Sequence, residues 1–228
     1  MAITTIAFDL DDTLLNTTGL LVPKASKDAF SILIKHGLKL NLDECEQQRL
    51  LLIKNISHKD VFIKLSQTYG TEKTLNYIQD AVKAFYEPNI PEKLPLVEHA
   101  ENILEKLHPN YNLYIVTAGF ESGQRKKIKS LNIEKYFKDI FVVNSLDGHR
   151  KITAFKKILD LEKIPASQLL CVGNSLSSEI KDAKELKAVS CYFEFGEERG
   201  ELPTDPEHKP DYHIKHFDQF IQTCKIVI

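Results

Sequence analysis

Near its beginning the chain reads Ile-Thr-Thr-Ile-Ala-Phe-Asp-Leu-Asp-Asp-Thr-Leu over residues 3–14. The first half of this stretch is apolar or β-branched, which is typical of a buried strand. The strand is expected to stop at Asp9, and Asp11 and Asp12 follow at once. Three carboxylates this close together repel one another, so a fold needs a reason to keep them at a strand end.

Two explanations fit this acidic cluster. Aspartate favours turns and helix N-caps, and strands often end in such residues. Alternatively the cluster is catalytic. Alternate residues leaving a strand would let Asp9 attack a substrate while Asp11 transfers protons, and a divalent cation would offset the crowded charge. The second explanation is favoured because the acidic pattern directly follows an apolar strand.

The pattern Asp9-x-Asp11-x-Thr13 resembles motif I of the haloacid dehalogenase-like (HAD) hydrolase superfamily. The resemblance covers nearly the whole chain and implies a phosphatase that acts on a small phosphomonoester. It implies that Asp9 forms an aspartyl-phosphate, and that Asp11 protonates the leaving alkoxide and then activates the hydrolytic water.

Composition excludes several classes of protein. The 228 residues are 43% hydrophobic and 27% charged, as in an ordinary globular domain or a domain with an insertion. A net charge of −2 gives no electrostatic reason to expect nucleic acid or an anionic membrane as partner. No apolar run reaches the ~18 residues of a transmembrane helix. The start of the chain lacks the features of a secretory signal, so a cytoplasmic protein is expected.

The chain divides into a helical part and an alternating part. After a short connector over residues 15–23, helical periodicity of apolar residues holds to about Tyr86, and Pro88, Pro91 and Pro95 then mark a boundary. Further on, short apolar strands alternate with amphipathic helices, which indicates a parallel sheet covered on both faces. With the resemblance, this predicts an α/β fold: a Rossmann-like HAD core of residues 1–15 and 92–228, and an inserted all-α cap of residues 16–91.

The predicted strands after the first are residues 113–116, 140–143, 169–172, 190–193 and 212–214. Parallel sheets of this kind bind ligands beyond the carboxyl ends of their strands, near the switch in strand order. The candidate site residues below all follow a strand. We therefore expect them to meet at one edge of the sheet.

The sequence Thr117-Ala118-Gly119 resembles motif II, in which a hydroxyl group holds a phosphate oxygen. Free backbone N–H groups at such a strand end also favour anions. A hydroxyl that caps a strand-to-helix turn would give the same sequence. Its position after motif I favours a phosphate site formed by Thr117 and the backbone at Ala118.

The resemblance implies a cationic residue after the next strand, at or near the start of a helix. Lys151 is the best match to motif III, with Arg150 and Lys156 as alternatives. A point charge here would neutralise the negative charge that phosphoryl transfer spreads over the equatorial oxygens.

The chain departs from the family at motif IV, where Asn174 and Glu179 replace the two aspartates of Gly-Asp-x-x-x-x-Asp. The resemblance implies Mg²⁺ bound by Asp9, the backbone carbonyl of Asp11 and Asn174. An Asn oxygen can bind Mg²⁺ but brings one negative charge fewer, so weak metal binding is predicted. Glu179 is expected to support a metal-bound water.

Alternatives remain open from the sequence. A 2-haloacid dehalogenase shares the fold and the nucleophile and needs no metal, but Asp11 argues against it. A phosphomutase would keep both Asp9 and Asp11. A non-catalytic phospholigand-binding protein is suggested by Asn174.

Other motifs add little to this interpretation. The histidines show no metal-ligand spacing, the cysteines form no Cys-x-x-Cys pair, and no nucleotide-binding glycine motif is present. The basic residues between Gln124 and Leu131 are interpreted as the solvated face of a helix. The expected partner is a small phosphorylated metabolite, with no nucleic acid and no membrane, and the protein is expected to be a monomer or homodimer.

Overall fold

The computed structural model of the chain describes residues 2–144 and 147–228. Its strands are β1 (Thr5–Phe8), β2 (Asn112–Ala118), β3 (Asp139–Val143), β4 (Leu169–Gly173), β5 (Val189–Phe193) and β6 (Tyr212–Ile214). Within the described residues they form one parallel sheet in the order β3-β2-β1-β4-β5-β6. The predicted parallel α/β architecture is confirmed, although the first strand begins at Thr5 and not at Ile3.

The helices lie between these strands along the chain, except the last, which follows β6. In chain order, α1 to α11 are Thr17–Leu20, Val22–Lys35, Leu42–Leu52, His58–Tyr69, Glu72–Leu75, Ile78–Tyr86, Ala100–Leu107, Glu121–Leu131, Ile152–Glu162, Lys181–Leu186 and Phe220–Thr223. Helices α1 to α6 follow one another between β1 and β2 without an intervening strand.

Strand β1 lies at the centre of the sheet. Phe8 is opposite Ile115 of β2 on one side and Val172 of β4 on the other. The chain moves outward from β1 to β3 and then returns to place β4 beside β1, so the strand order switches between β1 and β4. A crevice at the carboxyl ends of these two strands is the usual ligand position in such a sheet.

Both faces of β1 are covered, which explains why its residues are so apolar. Successive side chains of a strand point to opposite faces. Ala7 packs on one face in a cluster with Phe155 of α9 and Ala183 of α10. On the other face the ring of Phe8 has its centroid 6.4 Å from that of Phe217 and 5.7 Å from that of Phe220.

Helices α2 to α6 have a hydrophobic core of their own. The rings of Phe30, Phe62 and Phe85 lie in contact at its centre, with centroid separations of 5.2 Å and 5.4 Å. The N-terminus of α4 is capped by Ser57, whose hydroxyl accepts a hydrogen bond from the Asp60 N–H. A second cap, at Asn41, precedes α3.

A π-helical turn over Leu176–Ile180 joins β4 to α10. The sequence predicts an ordinary helix over residues 179–186, and the structure corrects this, since α10 begins only at Lys181. The turn contains Glu179, whose side chain is buried. Single π-helical turns of this kind occur frequently at functional sites.

The chain forms two compact units. The first comprises Met1–Thr17, Ile90–Glu197 and Glu201–Ile228, and the second comprises Thr18–Asn89 with Glu198–Gly200. These limits differ slightly from the predicted ones at both junctions and assign residues 198–200 to the helical unit. Within that unit the Gly200 N–H donates to the Lys54 carbonyl at 2.8 Å, and Lys54 Nζ lies 2.8 Å from a carboxylate oxygen of Glu198.

A membrane-spanning segment is not found among the described residues, since each of their helices is too short or too polar to cross a bilayer.

Candidate active site

The candidate residues gather at the carboxyl edge of the sheet, beside the switch in strand order. Asp9 follows β1 directly, and its N–H donates to the carbonyl of Val172 in β4 at 2.8 Å. Asn174 follows β4, and Thr117 lies in the last part of β2. Because β2 and β4 are the two neighbours of β1, their ends bring these side chains to the same edge.

The Asp9 carboxylate is buried against Lys151. Its Oδ1 accepts a hydrogen bond from Lys151 Nζ at 2.6 Å, and the two side chains are only 6% and 5% exposed. Burial raises the pKa of Asp9 well above its ordinary value; Lys151 opposes this shift and Glu179 adds to it. Burial alone would lower the pKa of Lys151, but Asp9 and Glu179 raise it above its ordinary value, so the lysine is charged.

Glu179 is the second carboxylate that contacts Lys151. Its Oε1 accepts from Lys151 Nζ, and its Oε2 accepts from the Ser175 N–H at 3.2 Å. The carboxyl group lies directly over Gly173, where a Cβ would fall 2.7 Å from Glu179 Cγ. Residue 173 is therefore restricted to glycine by this close approach. The sequence predicts that Glu179 supports a metal-bound water, whereas the structure places it on the lysine.

The loop after Asp9 turns sharply and brings Asp11 back to the same edge. Asp12 adopts a left-handed backbone conformation, with φ of 52°, and its N–H donates to the Leu15 carbonyl at 2.7 Å. Gly196, which follows β5, leaves room for this turn, since a Cβ there would lie 2.5 Å from Asp12 Cγ. Strain of this kind at residue 12 is typical of functional loops.

Three donors hold the Asp11 carboxylate. Oδ1 accepts from Lys127 Nζ at 2.7 Å and from the Thr17 hydroxyl at 2.5 Å, and Oδ2 accepts from Gln124 Nε2 at 2.7 Å. Burial by itself raises the pKa of Asp11, but the Lys127 ammonium and the hydrogen bonds lower it below its ordinary value. The pKa values of Asp9 and Asp11 are therefore shifted in opposite directions.

Thr117 is fully buried, and its hydroxyl oxygen accepts from Gln124 Nε2. The hydroxyl proton consequently points away from Gln124 and can be donated to an anion. The Gly119 N–H donates to the Val143 carbonyl in β3. Because successive N–H groups of a strand point to opposite sides, the Ala118 N–H faces the β1 side, where Asp9 and Asp11 follow the strand.

The three candidate cations have different surroundings in the structure. Lys151 immediately precedes α9 and reaches Asp9, whereas the Arg150 guanidinium contacts Asp182 and Glu185. Lys156 is exposed on α9.

The interpretation of α8 as bearing only solvated basic residues is wrong at one position. Arg125, Lys126 and Lys129 are exposed, but Lys127 is 7% exposed and paired with Asp11. Gln124, which the sequence did not indicate as a site residue, is 2% exposed on the same helix face. Gln124 lies four residues before Ile128, and Lys127 lies four residues before Leu131. This helical spacing is the signal that could have placed both on the buried face.

The oxygen donors at this edge fit a hard divalent cation. Asp9 and Glu179 are two buried carboxylates that share one buried ammonium, so the cluster has an excess of negative charge when all three groups are ionised. Asn174 Nδ2 donates to the Phe195 carbonyl at 3.1 Å. This hydrogen bond fixes the amide group and directs its oxygen away from Phe195. A carboxylate, an amide oxygen and a backbone carbonyl are ligands that Mg²⁺ accepts. Among the described residues no group of three His, Cys, Asp or Glu side chains is arranged as a metal site of its own.

Comparison with known proteins gives a consistent result. The family model described as haloacid dehalogenase-like hydrolase matches residues 6–192. A glyceraldehyde 3-phosphate phosphatase from Pyrococcus abyssi is 30% identical over 202 residues, which cover 84% of this chain and 81% of that protein. A second glyceraldehyde 3-phosphate phosphatase, from Pyrococcus furiosus, is 26% identical over 96% of this chain and 92% of its own length.

Solved structures have the same fold. YfnB from Bacillus subtilis, a HAD-hydrolase by name whose crystal structure contains magnesium, superposes with a TM-score of 0.69 at 24% identity, covering 99% of this chain and 100% of that one. A HAD-superfamily hydrolase from Geobacter sulfurreducens gives a TM-score of 0.67 at 15% identity, with 96% and 95% of the two chains covered.

Proposed function

Because the chain belongs to the haloacid dehalogenase-like hydrolase family, and is a phosphatase within it, we propose that it hydrolyses a small phosphomonoester through an aspartyl-phosphate on Asp9, with Mg²⁺ as cofactor. Asp11 acts as general acid and base, and Thr117, the Ala118 N–H and Lys151 bind the phosphoryl oxygens. The supporting observation is that these residues, which are far apart in the sequence, converge at one edge of the sheet.

In the first step an Asp9 carboxylate oxygen attacks phosphorus, and the bond from phosphorus to the ester oxygen breaks. The hydrogen bond from Lys151 fixes the orientation of the Asp9 carboxylate before the attack. The negative charge of the bound ester favours the protonated form of Asp11, which gives its proton to the departing alkoxide, so the leaving group departs as an alcohol. Lys151, already charged, offsets the negative charge of the transferring group.

In the second step water attacks the phosphorus of the aspartyl-phosphate and restores the Asp9 carboxylate. Asp11, now ionised, takes a proton from this water. Lys127, Gln124 and Thr17 favour the ionised form of Asp11, which suits it to act as the base. The Thr117 hydroxyl and the Ala118 N–H hold the phosphoryl oxygens in place through both steps.

Asp9, the backbone carbonyl of Asp11 and Asn174 would hold Mg²⁺, which supplies positive charge to the phosphoryl oxygens when bound. Asn174 contributes a neutral oxygen in place of a carboxylate, so the affinity for Mg²⁺ is expected to be modest. The buried pair of Asp9 and Lys151 keeps the nucleophile oriented independently of the metal.

We further propose that the helical unit is the cap that selects the substrate, and that the substrate is a small metabolite. Two relatives that match most of the chain are named glyceraldehyde 3-phosphate phosphatases. A triose phosphate is therefore the first substrate to test.

The test is hydrolysis of a panel of small phosphate esters, including glyceraldehyde 3-phosphate, with and without Mg²⁺. The wild type is compared with Asp9→Asn and with Asp160→Asn, which changes an exposed aspartate on α9. The proposal predicts Mg²⁺-dependent release of phosphate that is lost in Asp9→Asn and retained in Asp160→Asn. Equal activity in wild type and Asp9→Asn would reject Asp9 as the nucleophile.

A further inference from the structure

Gln124 lies in the first half of α8 and is almost completely buried, at 2% exposure. Its Nε2 group contacts Asp11 Oδ2 at 2.7 Å, Thr117 Oγ1 at 2.5 Å and the Ala118 carbonyl at 3.2 Å. One amide group thus joins the end of β2 to the loop that follows β1. The separation of 113 residues between Gln124 and Asp11 means that this link is a feature of the tertiary fold.

The backbone at Gly119, directly after β2, leaves room for this side chain. Gly119 has a φ of +144°, and a Cβ at this position would lie 3.3 Å from Gln124 Cδ. The amide is thereby kept against the strand end and cannot move away from Thr117 without losing packing and hydrogen bonds together. A buried amide with several acceptors is a rigid element, because leaving any of these groups unpaired is costly.

The two oxygens of Asp11 are held differently. Oδ1 accepts from both Lys127 and Thr17. Among the residues that the structure describes, Oδ2 accepts from Gln124, which leaves this oxygen the capacity to carry a proton. The direction in which Oδ2 faces is therefore set by the position of the Gln124 amide.

We propose that Gln124 is a positioning residue that aims Asp11 Oδ2 at the ester oxygen of the leaving group, using Thr117 and Ala118 as its anchor. The inference rests on the proposed phosphatase function and adds a residue to it. Gln124 does not itself contact the substrate. It acts through Asp11, so its loss should matter most when the leaving group needs a proton.

The test uses the 228-residue protein with Mg²⁺ and two esters, one whose leaving group needs a proton and one whose leaving group does not. Glycerol 3-phosphate has a poor alkoxide leaving group, whereas 4-nitrophenyl phosphate releases a stable phenolate that departs without protonation. Gln124→Met keeps the length of the side chain and removes its donor. Lys126→Met, at an exposed position of the same helix, is the matched control.

For Gln124→Met, kcat/KM for the alkyl ester should fall about ten-fold or more, since positioned general acids contribute roughly 10²–10⁴ to rates. For the aryl ester kcat/KM should change by less than about three-fold, because its leaving group departs without a proton from the general acid. Gln124→Leu, which also removes the donor, should show the same difference between esters. Lys126→Met should resemble the wild type with both.

Equal losses with the two esters in both Gln124 variants would overturn the inference, because a general loss of structure or of phosphate binding affects both alike. Unchanged kinetics with both esters would overturn it as well. Thermal unfolding of each variant is measured alongside, and Gln124→Leu carries the test if Gln124→Met does not fold. A wild type that hydrolyses neither ester, nor any other in the panel, would reject the proposed function itself and the inference with it.

Discussion

Lys151 Nζ lies 2.6 Å from Asp9 Oδ1, although the two residues are 142 positions apart in the chain. The sheet order explains the contact, because β4 returns to lie beside β1 after β3 and the start of α9 comes back over the same edge. Both groups are buried, so their attraction is weakly screened. Glu179 contacts the same ammonium from the π-helical turn, and the lysine thus holds two carboxylates together.

Replacement of Lys151 by methionine should destabilise the protein strongly. It leaves Asp9 and Glu179 buried without their countercharge, and breaking a buried pair in this way costs about 3–5 kcal/mol. The free energy of unfolding is measured by urea denaturation in the presence of a metal chelator. Lys156→Met, at an exposed position of α9, should change it by less than about 0.5 kcal/mol. Similar stabilities of the two variants would contradict this account of the pair.

Lys127 should prove functional, in contrast to its exposed neighbour Lys126. Lys127→Met removes the ammonium that lies 2.7 Å from Asp11 Oδ1 and leaves a buried carboxylate less stabilised. We expect kcat to fall about ten-fold or more, in the range of effects seen when general acid–base groups are disturbed. The comparison is steady-state kinetics of Lys127→Met and Lys126→Met under identical conditions. If both variants keep wild-type kcat, the buried ion pair has no role in the reaction.

Asn174→Asp should tighten the binding of Mg²⁺. The substitution adds a carboxylate to a site for a hard cation, where ligand charge is a main determinant of affinity. The Mg²⁺ concentration for half-maximal activity should fall about ten-fold, the size of effect that a change in supporting ligands commonly has. Asn110→Asp, on an exposed part of the first unit, adds the same charge and should leave this concentration unchanged. An unaltered metal requirement in Asn174→Asp would exclude residue 174 from the metal site.

Glu162 should contribute a pH-dependent part of the stability. Its carboxylate accepts hydrogen bonds from Tyr114, from Asn112 at 2.7 Å and from Lys138 at 2.9 Å. Burial alone would raise the pKa of Glu162, but the hydrogen bonds from Tyr114 and Lys138 and the charge of Lys138 lower it below its ordinary value. Because the folded-state pKa is lower than the unfolded one, the contribution is complete above the unfolded pKa of about 4.3 and is lost as pH falls through the folded value.

The measurement is the free energy of unfolding of Glu162→Gln relative to wild type as a function of pH. At pH 7 the variant should be less stable by about 1–2 kcal/mol, as for hydrogen bonds to a charged group. The difference should shrink steadily once the solution is more acidic than the ordinary glutamate pKa. Glu134→Gln, an exposed change, should show no such trend, and a pH-independent difference for Glu162→Gln would count against the mechanism.

Much of the fold could be predicted from local patterns. The central strands β1 and β4 are buried along their whole length and therefore read as continuous hydrophobic runs. The proline-rich connector near residue 90 lies where the two compact units divide. The family resemblance indicated Asp9 and Thr117 as site residues, and the structure brings both to one edge of the sheet. The order of strands in the sheet is what joins them.

The contacts that local patterns could not reveal depend on tertiary structure. Lys127 reads as one of several solvated basic residues, and only the position of α8 beside the Asp11 loop makes it a buried partner. Glu179 reads as the start of a helix, whereas a π-helical turn directs it to Lys151. Residues 198–200 read as an exposed loop of the core, yet they group with the helical unit through contacts to Lys54.

The most direct test of the central proposal is chemical trapping of the phosphorylated enzyme. Wild-type protein is mixed with substrate and Mg²⁺, quenched rapidly in acid, digested and examined by mass spectrometry. The account predicts one added phosphoryl group on Asp9, formed as fast as turnover requires, and none in Asp9→Asn. Turnover without any phosphoryl group on Asp9, or with the group on another residue, would contradict it.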